Sequence, residues 1–554
     1  MKKNEWIKEW EGKTLSEMWD NACARYGNDD FIVAGDTRIT YREMNELINR
    51  FSRGLIHLGI NKGDKVAIWM PNNPNWAVAQ FSIIKAGAII VPLSTRFKSY
   101  DLEYILKQSE AVALLMASSL GKIDFYKIIL DIYPELEESR PGELHIEKLP
   151  FLKNIVVFDG EPRPGCFSSD EVMLLGDETS DEELRRRASA LSPGDIVNIP
   201  YTSGTTGFPK GVMTTHEQYL GQVVCFRERL GIKEKDRFVA IAPFFANFGN
   251  YFGILLPAMV GGCSLMIEAY DPTLALKLIE KEKATNFSGT PTMYLDILNH
   301  PEFDKTNVSS LRTAMTGAAP APVQMVKDVY SKMGVEVFCN GYGMTENSGC
   351  TTMTQKGDTP EVLAETTGQP LPGISICIQD PNTNDKLAAG QVGELCTKGW
   401  IVMKGYYKME KETAECFDDE GWFHTGDLGM LDEKGNFVIT GRLKEMFISG
   451  GFNVYPAEIE NFLYSMDGIG QVAIVGVPDK RMGEVGMAFV VTKPDVSFSE
   501  EEIVSFCKGR IAGYKVPRYA LFLNELPLAG VGKVQKFVLY EKGLEELKKR
   551  GIEI

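Results

Sequence analysis

The residues with the plainest chemical purpose lie at 201–211, YTSGTTGFPKG, just after a strand-like run at 195–200. Five hydroxyl side chains, three glycines and one lysine are gathered there. A loop of that composition leaving a strand can wrap a polyphosphate: glycines let backbone N–H groups approach closely, hydroxyls donate, and the lysine adds positive charge. The spacing is not that of a Walker A loop, which needs GxxxxGK followed by Ser or Thr. Thr202, Ser203, Gly204, Thr205, Thr206, Gly207 and Lys210 are therefore the candidate phosphate ligands. The ten cysteines stand singly, with no CxxC pair, so their spacing suggests neither a zinc cluster nor a disulfide framework. They read as reduced and mostly buried thiols.

A phosphate loop needs a scaffold, and the pattern around it is that of an α/β protein. Residues 40–43, TYRE, form a capping box opening a helix whose Met44, Leu47, Ile48, Phe51 and Leu55 recur at helical spacing. Strand candidates at 66–70 and 88–91 flank a helical stretch near 76–86, a βαβ unit that implies a parallel sheet. Residues 159–195 are acidic and broken by Pro and Gly, and read as a surface excursion with one solvated helix between two subdomains. From 367 to 441 short strands are punctuated by Gly, Pro and Asp, as in a small β-rich subdomain. Beyond it come a helix near 457–465 and strands at 472–477 and 488–491, a separate α+β domain of about one hundred residues. The expected organisation is a large domain over 1–441, built of two parallel-type α/β subdomains and a small β-rich one, then a small mobile α+β domain over 442–554.

Composition narrows the partners. With 554 residues, 44% of them apolar and 24% charged, the chain is an ordinary multidomain globular protein, which excludes disorder, collagen and a disulfide miniprotein. Its 59 Lys+Arg against 75 Asp+Glu leave a net charge of −16, which repels nucleic acid and anionic membranes. No apolar run reaches the ~20 residues of a transmembrane helix. The opening MKKNEWIKEWEG has no apolar signal core, so the expected location is the cytoplasm, without a transmembrane segment.

Taken whole, the 201–211 string resembles that of the adenylate-forming superfamily of acyl-CoA synthetases, nonribosomal peptide adenylation domains and beetle luciferases. Six motifs of that family run in order through nearly the whole chain. The resemblance implies a role for each. In 339–346, CNGYGMTE, Asn340, Gly341, Tyr342, Gly343 and Met344 line the nucleotide, with Tyr342 stacked on adenine. Thr345 touches the α-phosphate and Glu346 ligates Mg²⁺, a hard cation that favours carboxylate oxygen. Gly317, Ala318 and Ala319 leave room for the base. Asp427, in WFHTGD, accepts both ribose hydroxyls, and Arg442 joins it. His424 and His216 are structural in this reading. Lys444 is the hinge, Gly450 and Gly451 border the CoA tunnel, and Lys533 of LPLAGVGK is the adenylation lysine. Ala529 and Val531 stand where the family has threonines, so that last loop is less polar than usual.

The activity implied is that of an AMP-forming acid–CoA ligase. A carboxylic acid and MgATP give an acyl-adenylate and pyrophosphate; CoA then takes the acyl group and AMP leaves. Lys533, Glu346, Thr345 and Lys210 serve the first step, and rotation of the C-terminal domain exposes another face for the second. The direction in the cell is left open, as is the choice between monomer and homodimer. Phe245, Asn247, Phe248, Tyr251, Thr290, Gly343 and Cys350 are the expected acyl-pocket residues. Acetate and propionate specialists of the family have Trp where this chain has Gly343, so the glycine implies an open pocket for a medium-chain aliphatic, alicyclic or aromatic acid. Residues 288–298, SGTPTMYLDIL, look closest to medium-chain acyl-CoA synthetases. Ala246 and Asn247 occupy the segment where many relatives place a carboxylate-orienting His. The context of 527–533 also resembles one in which the lysine is acetylated. Two further readings stay open: an adenylation enzyme loading a carrier protein in trans, and a nucleotide-binding scaffold without activity.

Overall fold

The computed structural model describes residues 8, 11–160, 162–202, 209–319, 321–450, 452–528 and 534–552. They form two compact units: Met1–Ser375 with Lys398–Phe417, and Ile376–Thr397 with Asp418–Ile554.

The first unit holds two large sheets. In one, strands Asp30–Ala34, Cys263–Met266, Arg237–Ala240, Asn286–Ser288, Thr313–Gly317 and Val337–Tyr342 lie side by side and parallel, with antiparallel strands added at both edges. In the other, Ile196–Asn198, Ile89–Pro92, Lys65–Trp69, Ala111–Met116, Asn154–Val157 and Phe167–Ser168 are parallel. A parallel sheet is covered on both faces, which is why Ala111–Met116 reads AVALLM rather than alternating. The expected βαβ unit is present: Lys65–Trp69, the helix Pro74–Ala86, then Ile89–Pro92. Asn73 caps the helix by accepting the Trp76 N–H, Pro74 supplies the fixed first φ, and Gly87 ends it in the left-handed region at φ 87°. Thr40 and Glu43 form the capping box of Tyr41–His57, whose Met44, Ile48, Phe51 and Leu55 are all buried.

Residues 159–195 depart from expectation. They carry two helices, Ser169–Leu175 and Asp181–Ser189, and only the second is solvated, with Leu184 its one buried residue. The first packs on Tyr41–His57 at Gly54, where a Cβ would stand 2.1 Å from the Val172 carbonyl oxygen. Nor does the segment separate two subdomains, because Asn154–Val157 before it and Ile196–Asn198 after it belong to one sheet. Burial of Val172 against the helix outweighed the acidic local composition.

The second unit is antiparallel in character. Ile374–Gln379, Gly393–Gly399, Phe423–Leu431 and Phe437–Arg442 form a four-stranded sheet in that order. A five-stranded sheet follows, centred on the long pair Ile469–Asp479 and Gly483–Thr492. Alternate residues of that pair feed two cores: Val472, Ile474, Ala488 and Val490 pack with Ile459 and Leu463 of Pro456–Leu463, while Ala473, Val475, Met487 and Phe489 pack with Leu539 and Leu547 of Lys536–Lys549. Among the described residues no helix is long and apolar enough to cross a membrane.

Candidate functional site

The nucleotide motifs of the first unit gather at the carboxyl ends of adjacent parallel strands, the position where open α/β sheets bind ligands. Thr313–Gly317 and Val337–Tyr342 are neighbours, with Gly317 opposite Gly341. A Cβ on Gly317 would come 2.6 Å from the Gly341 carbonyl oxygen, so the approach of the two strands requires glycine. Ala318, next in line, holds φ 67°, a left-handed backbone rare for alanine, and both Ala318 and Ala319 are exposed. Tyr342 closes its strand and a single tight turn, Thr345–Asn347, follows, with Met344 leading into it.

That turn places Glu346 inside, 8% exposed. Its Oε1 accepts the Tyr406 hydroxyl at 2.9 Å and the Thr202 hydroxyl at 3.4 Å. Thr202 pairs with Lys210 across the antiparallel ends Tyr201–Thr202 and Lys210–Gly211. The Lys210 ammonium lies 4.7 Å from the centre of the Tyr406 ring. Burial first, and the Glu346 charge second, push the Tyr406 phenol well above its ordinary value, so it stays a proton-bearing donor. The sequence reading missed Tyr406. It is brought in by residues 404–407, which run beside 211–213: Met213 and Gly405, Lys404 and Met213, and Tyr407 and Gly211 share backbone hydrogen bonds. The aromatic pair after Gly405 was the only local sign.

Ser203, Gly204, Thr205, Thr206, Gly207, Gly451 and Lys533 lie outside the described residues. Asn340 donates its amide to the Leu363 and Thr366 carbonyls at 2.8 and 3.2 Å, tying down the helix Pro360–Glu365. The reason read for Gly343 is corrected. A Cβ there would stand 1.6 Å from the Gly349 carbonyl oxygen, so the residue is glycine because two backbone stretches cross, and an indole has no space on this backbone.

The acyl-pocket residues divide. Tyr251 is interior, its hydroxyl bonded to the Ser348 carbonyl at 2.5 Å and its ring packed on Tyr219 and Phe226. Cys350 is interior too, its thiol donating to the Thr352 carbonyl at 3.2 Å. Phe248 packs on Phe252, and Thr290 precedes the helix Pro291–Leu298. Phe245 and Asn247 do line a cavity, with Trp76, Gln80 and Tyr219 among its walls. Asn247 accepts the Tyr219 hydroxyl at 2.7 Å, while its buried Nδ2 has no partner, which leaves a donor unspent. His216 is structural, as expected: its Nδ1 accepts the Leu15 N–H, and burial pushes its pKa down to about 4.

In the second unit Asp427 and Arg442 face each other across paired strands, and the Arg442 Nε meets Asp427 Oδ1 at 2.8 Å. Asp427 is 4% exposed, whereas Arg442 reaches solvent. Lys444 sits in the turn after Phe437–Arg442, where the Glu445 and Met446 N–H groups both bond the Arg442 carbonyl. Gly450 takes φ 59° between Phe447–Ser449 and Phe452–Val454, and a Cβ on it would touch the Met482 methyl at 2.5 Å. His424 bonds Glu394 at 2.8 Å beneath this region.

The family model for AMP-binding enzymes matches residues 19–407, and that for the AMP-binding enzyme C-terminal domain matches 458–533. The chain belongs to the AMP-binding enzyme family. This AMP-binding enzyme is 37% identical over 530 residues to the 3-[(3aS,4S,7aS)-7a-methyl-1,5-dioxo-octahydro-1H-inden-4-yl]propanoyl:CoA ligase of Rhodococcus jostii (strain RHA1), covering 96% of this chain and 98% of the relative. It is 34% identical over 545 residues to the mitochondrial medium-chain acyl-CoA ligase ACSF2 of Rattus norvegicus, covering 97% and 88%. Among solved structures, the anthranilate CoA ligase AuaEII in complex with anthranoyl-AMP matches with a TM-score of 0.81 at 26% identity, over 96% of this chain and 97% of that one. The mixed α/β architecture with a small C-terminal domain is that of adenylate-forming enzymes.

Proposed function

We infer that this AMP-binding enzyme is an AMP-forming acid–CoA ligase. It joins a carboxylic acid to ATP, expelling pyrophosphate, and then passes the acyl group from the adenylate to the thiol of CoA, expelling AMP. The observation that carries the reading is the cluster of Glu346, Tyr406, Thr202 and Lys210 at the end of the parallel strands. A carboxylate attacking a polyphosphate brings two anions together, so the protein's task is positioning and neutralisation of charge. Lys210 supplies a cation. Glu346, braced by neutral hydroxyls rather than spent on a cation of the protein, suits Mg²⁺, which binds through one or two carboxylates plus substrate phosphates and there supplies further neutralisation.

Asp427 and Arg442 take the ribose: a carboxylate has lone pairs left for hydroxyl donors after one oxygen meets the guanidinium. The unspent Nδ2 of Asn247 takes the place of the family's histidine as a donor to the acid. The acid is of medium size and largely apolar, aliphatic, alicyclic or aromatic, in keeping with the relatives' substrates and with the aromatic Trp76 and Phe245 beside Asn247. The reaction runs in the cytoplasm, where ten free thiols stay reduced. The reading keeps a mobile C-terminal domain from 442 with Lys444 as hinge, and gives Lys533 to adenylation and Gly450 and Gly451 to CoA entry.

The test is a panel of carboxylic acids with purified protein and ATP, scoring pyrophosphate release, then CoA-dependent AMP release and thioester. Medium-length and alicyclic acids are expected to lead. Absence of pyrophosphate with every acid rejects the reading, and acyl transfer to carrier proteins but not to CoA rejects its second half. Lys533→Ala should lose adenylation by several orders of magnitude yet convert preformed acyl-adenylate and CoA at near wild-type rate, because only the first step calls on that charge.

A further inference from the structure

We propose that the four-stranded antiparallel sheet of the second unit carries a site for a borderline-soft divalent cation of the zinc class, with Cys396, His424 and Glu394 as its protein ligands and a fourth position open to water.

Two adjacent strands build it. Glu394 and Cys396 lie on Gly393–Gly399, and the register sets Cys396 opposite His424 of Phe423–Leu431. Cys377 lies on Ile374–Gln379, the neighbour on the other side, and is not one of the ligand group. The ligand atoms of Glu394, Cys396 and His424 all lie within 4.8 Å of one another. Cys396 Sγ is 3.6 Å from His424 Nδ1, and that nitrogen is 2.8 Å from Glu394 Oε2. Around a tetrahedral zinc, a sulfur at ~2.3 Å and a nitrogen at ~2.0 Å stand roughly 3.5 Å apart. The sulfur–nitrogen edge is therefore already formed with both strands in place. The nitrogen–oxygen contact is a hydrogen bond, shorter than a metal site's edge, and opens by a small rotation of the Glu394 side chain.

The surroundings are those of a ligand set rather than of a plain core. Asp418 Oδ2 stands 3.9 Å from His424 Nε2, behind the ring nitrogen that a metal at Nδ1 leaves free, the placement that orients metal-bound imidazoles. Gln379 braces both partners, its Oε1 3.3 Å from Cys396 Sγ and its Nε2 3.3 Å from Asp418 Oδ2. Glu394 and Cys396 are buried, and His424 is part-exposed and gives access from solvent. Binding releases the Cys396 thiol proton to solvent. Neither half-reaction of the ligase calls on a protein thiol, so this cluster stands apart from that chemistry. It touches the nucleotide machinery at one point: Glu394 Oε1 also accepts the Gly426 N–H at 2.8 Å, one residue before Asp427.

The test uses the full chain, treated with a phosphine reductant, freed of metal by a chelator, and titrated with Co²⁺ as the spectroscopic stand-in for zinc. One equivalent should produce an intense thiolate-to-cobalt charge-transfer band with tetrahedral ligand-field bands, and Zn²⁺ should bleach both. Cys396→Ser should abolish the thiolate band, while Cys377→Ser and Cys23→Ser leave it unchanged. Circular dichroism confirms that each variant is folded. A reduced wild type without the band, or a band that survives Cys396→Ser, overturns the proposal. The readout is independent of any acid or ATP, so its failure leaves the ligase reading untouched.

Discussion

Glu346 and Asp427 are both buried carboxylates, yet they are held in opposite ways. Glu346 follows the end of a parallel strand and is braced by the neutral hydroxyls of Tyr406 and Thr202. Asp427 lies within an antiparallel strand and meets the Arg442 guanidinium in register. On the proposed function the first keeps its negative charge for a cation, while the second, with that charge balanced by the protein, receives hydroxyl donors. One residue type would thus serve charge neutralisation in one unit and hydrogen-bond recognition in the other, and the partner decides which.

Breaking the first arrangement should give the largest effect. Glu346→Gln keeps the shape and an acceptor for Tyr406 but removes the charge, so adenylation should fall by about 10²–10³ with folding intact, the range seen when one preorganised electrostatic contact is lost. Single-turnover pyrophosphate release reads it, and an unchanged rate dissolves the contrast. The glycines give a parallel comparison. Gly343→Ala forces a Cβ against the Gly349 carbonyl and should destabilise the first unit by at least about 3 kcal/mol in urea unfolding, the upper range for overpacking.

Asp427→Ala should raise the KM for ATP about tenfold or more, for a loss of roughly 1.5–3 kcal/mol, with a smaller change in kcat. If kcat falls instead and KM holds, Asp427 shares the role assigned to Glu346 and the comparison collapses. The mildest effect belongs to Gly426, which takes φ 71° with nothing within 4 Å of its Cβ direction. Gly426→Ala strains the backbone without a collision and should lower stability by only about 1 kcal/mol. A loss equal to that of Gly343→Ala means that the open space there is filled in solution.

What the sequence by itself determined is whatever rides on contiguous residues. The 201–211 string, CNGYGMTE and WFHTGD keep their spacing in any fold, so they announced the family and picked out the two carboxylates. The capping box at Thr40 and the apolar strands read at 66–70 and 88–91 likewise followed from local hydrogen bonding and from burial on both faces of a parallel sheet. What only the tertiary structure decided is which distant residues meet. Tyr406 reaches Glu346 across 60 residues, and Cys396 reaches His424 across 28. Single cysteines without CxxC spacing gave no hint of a cluster, because strand pairing brings ligands together by register across chains of loop, which periodicity does not encode. Gly343 makes the same point from the other side: its residue type was legible, but the reason for it, a second backbone 1.6 Å from where a side chain would start, belongs to the fold alone.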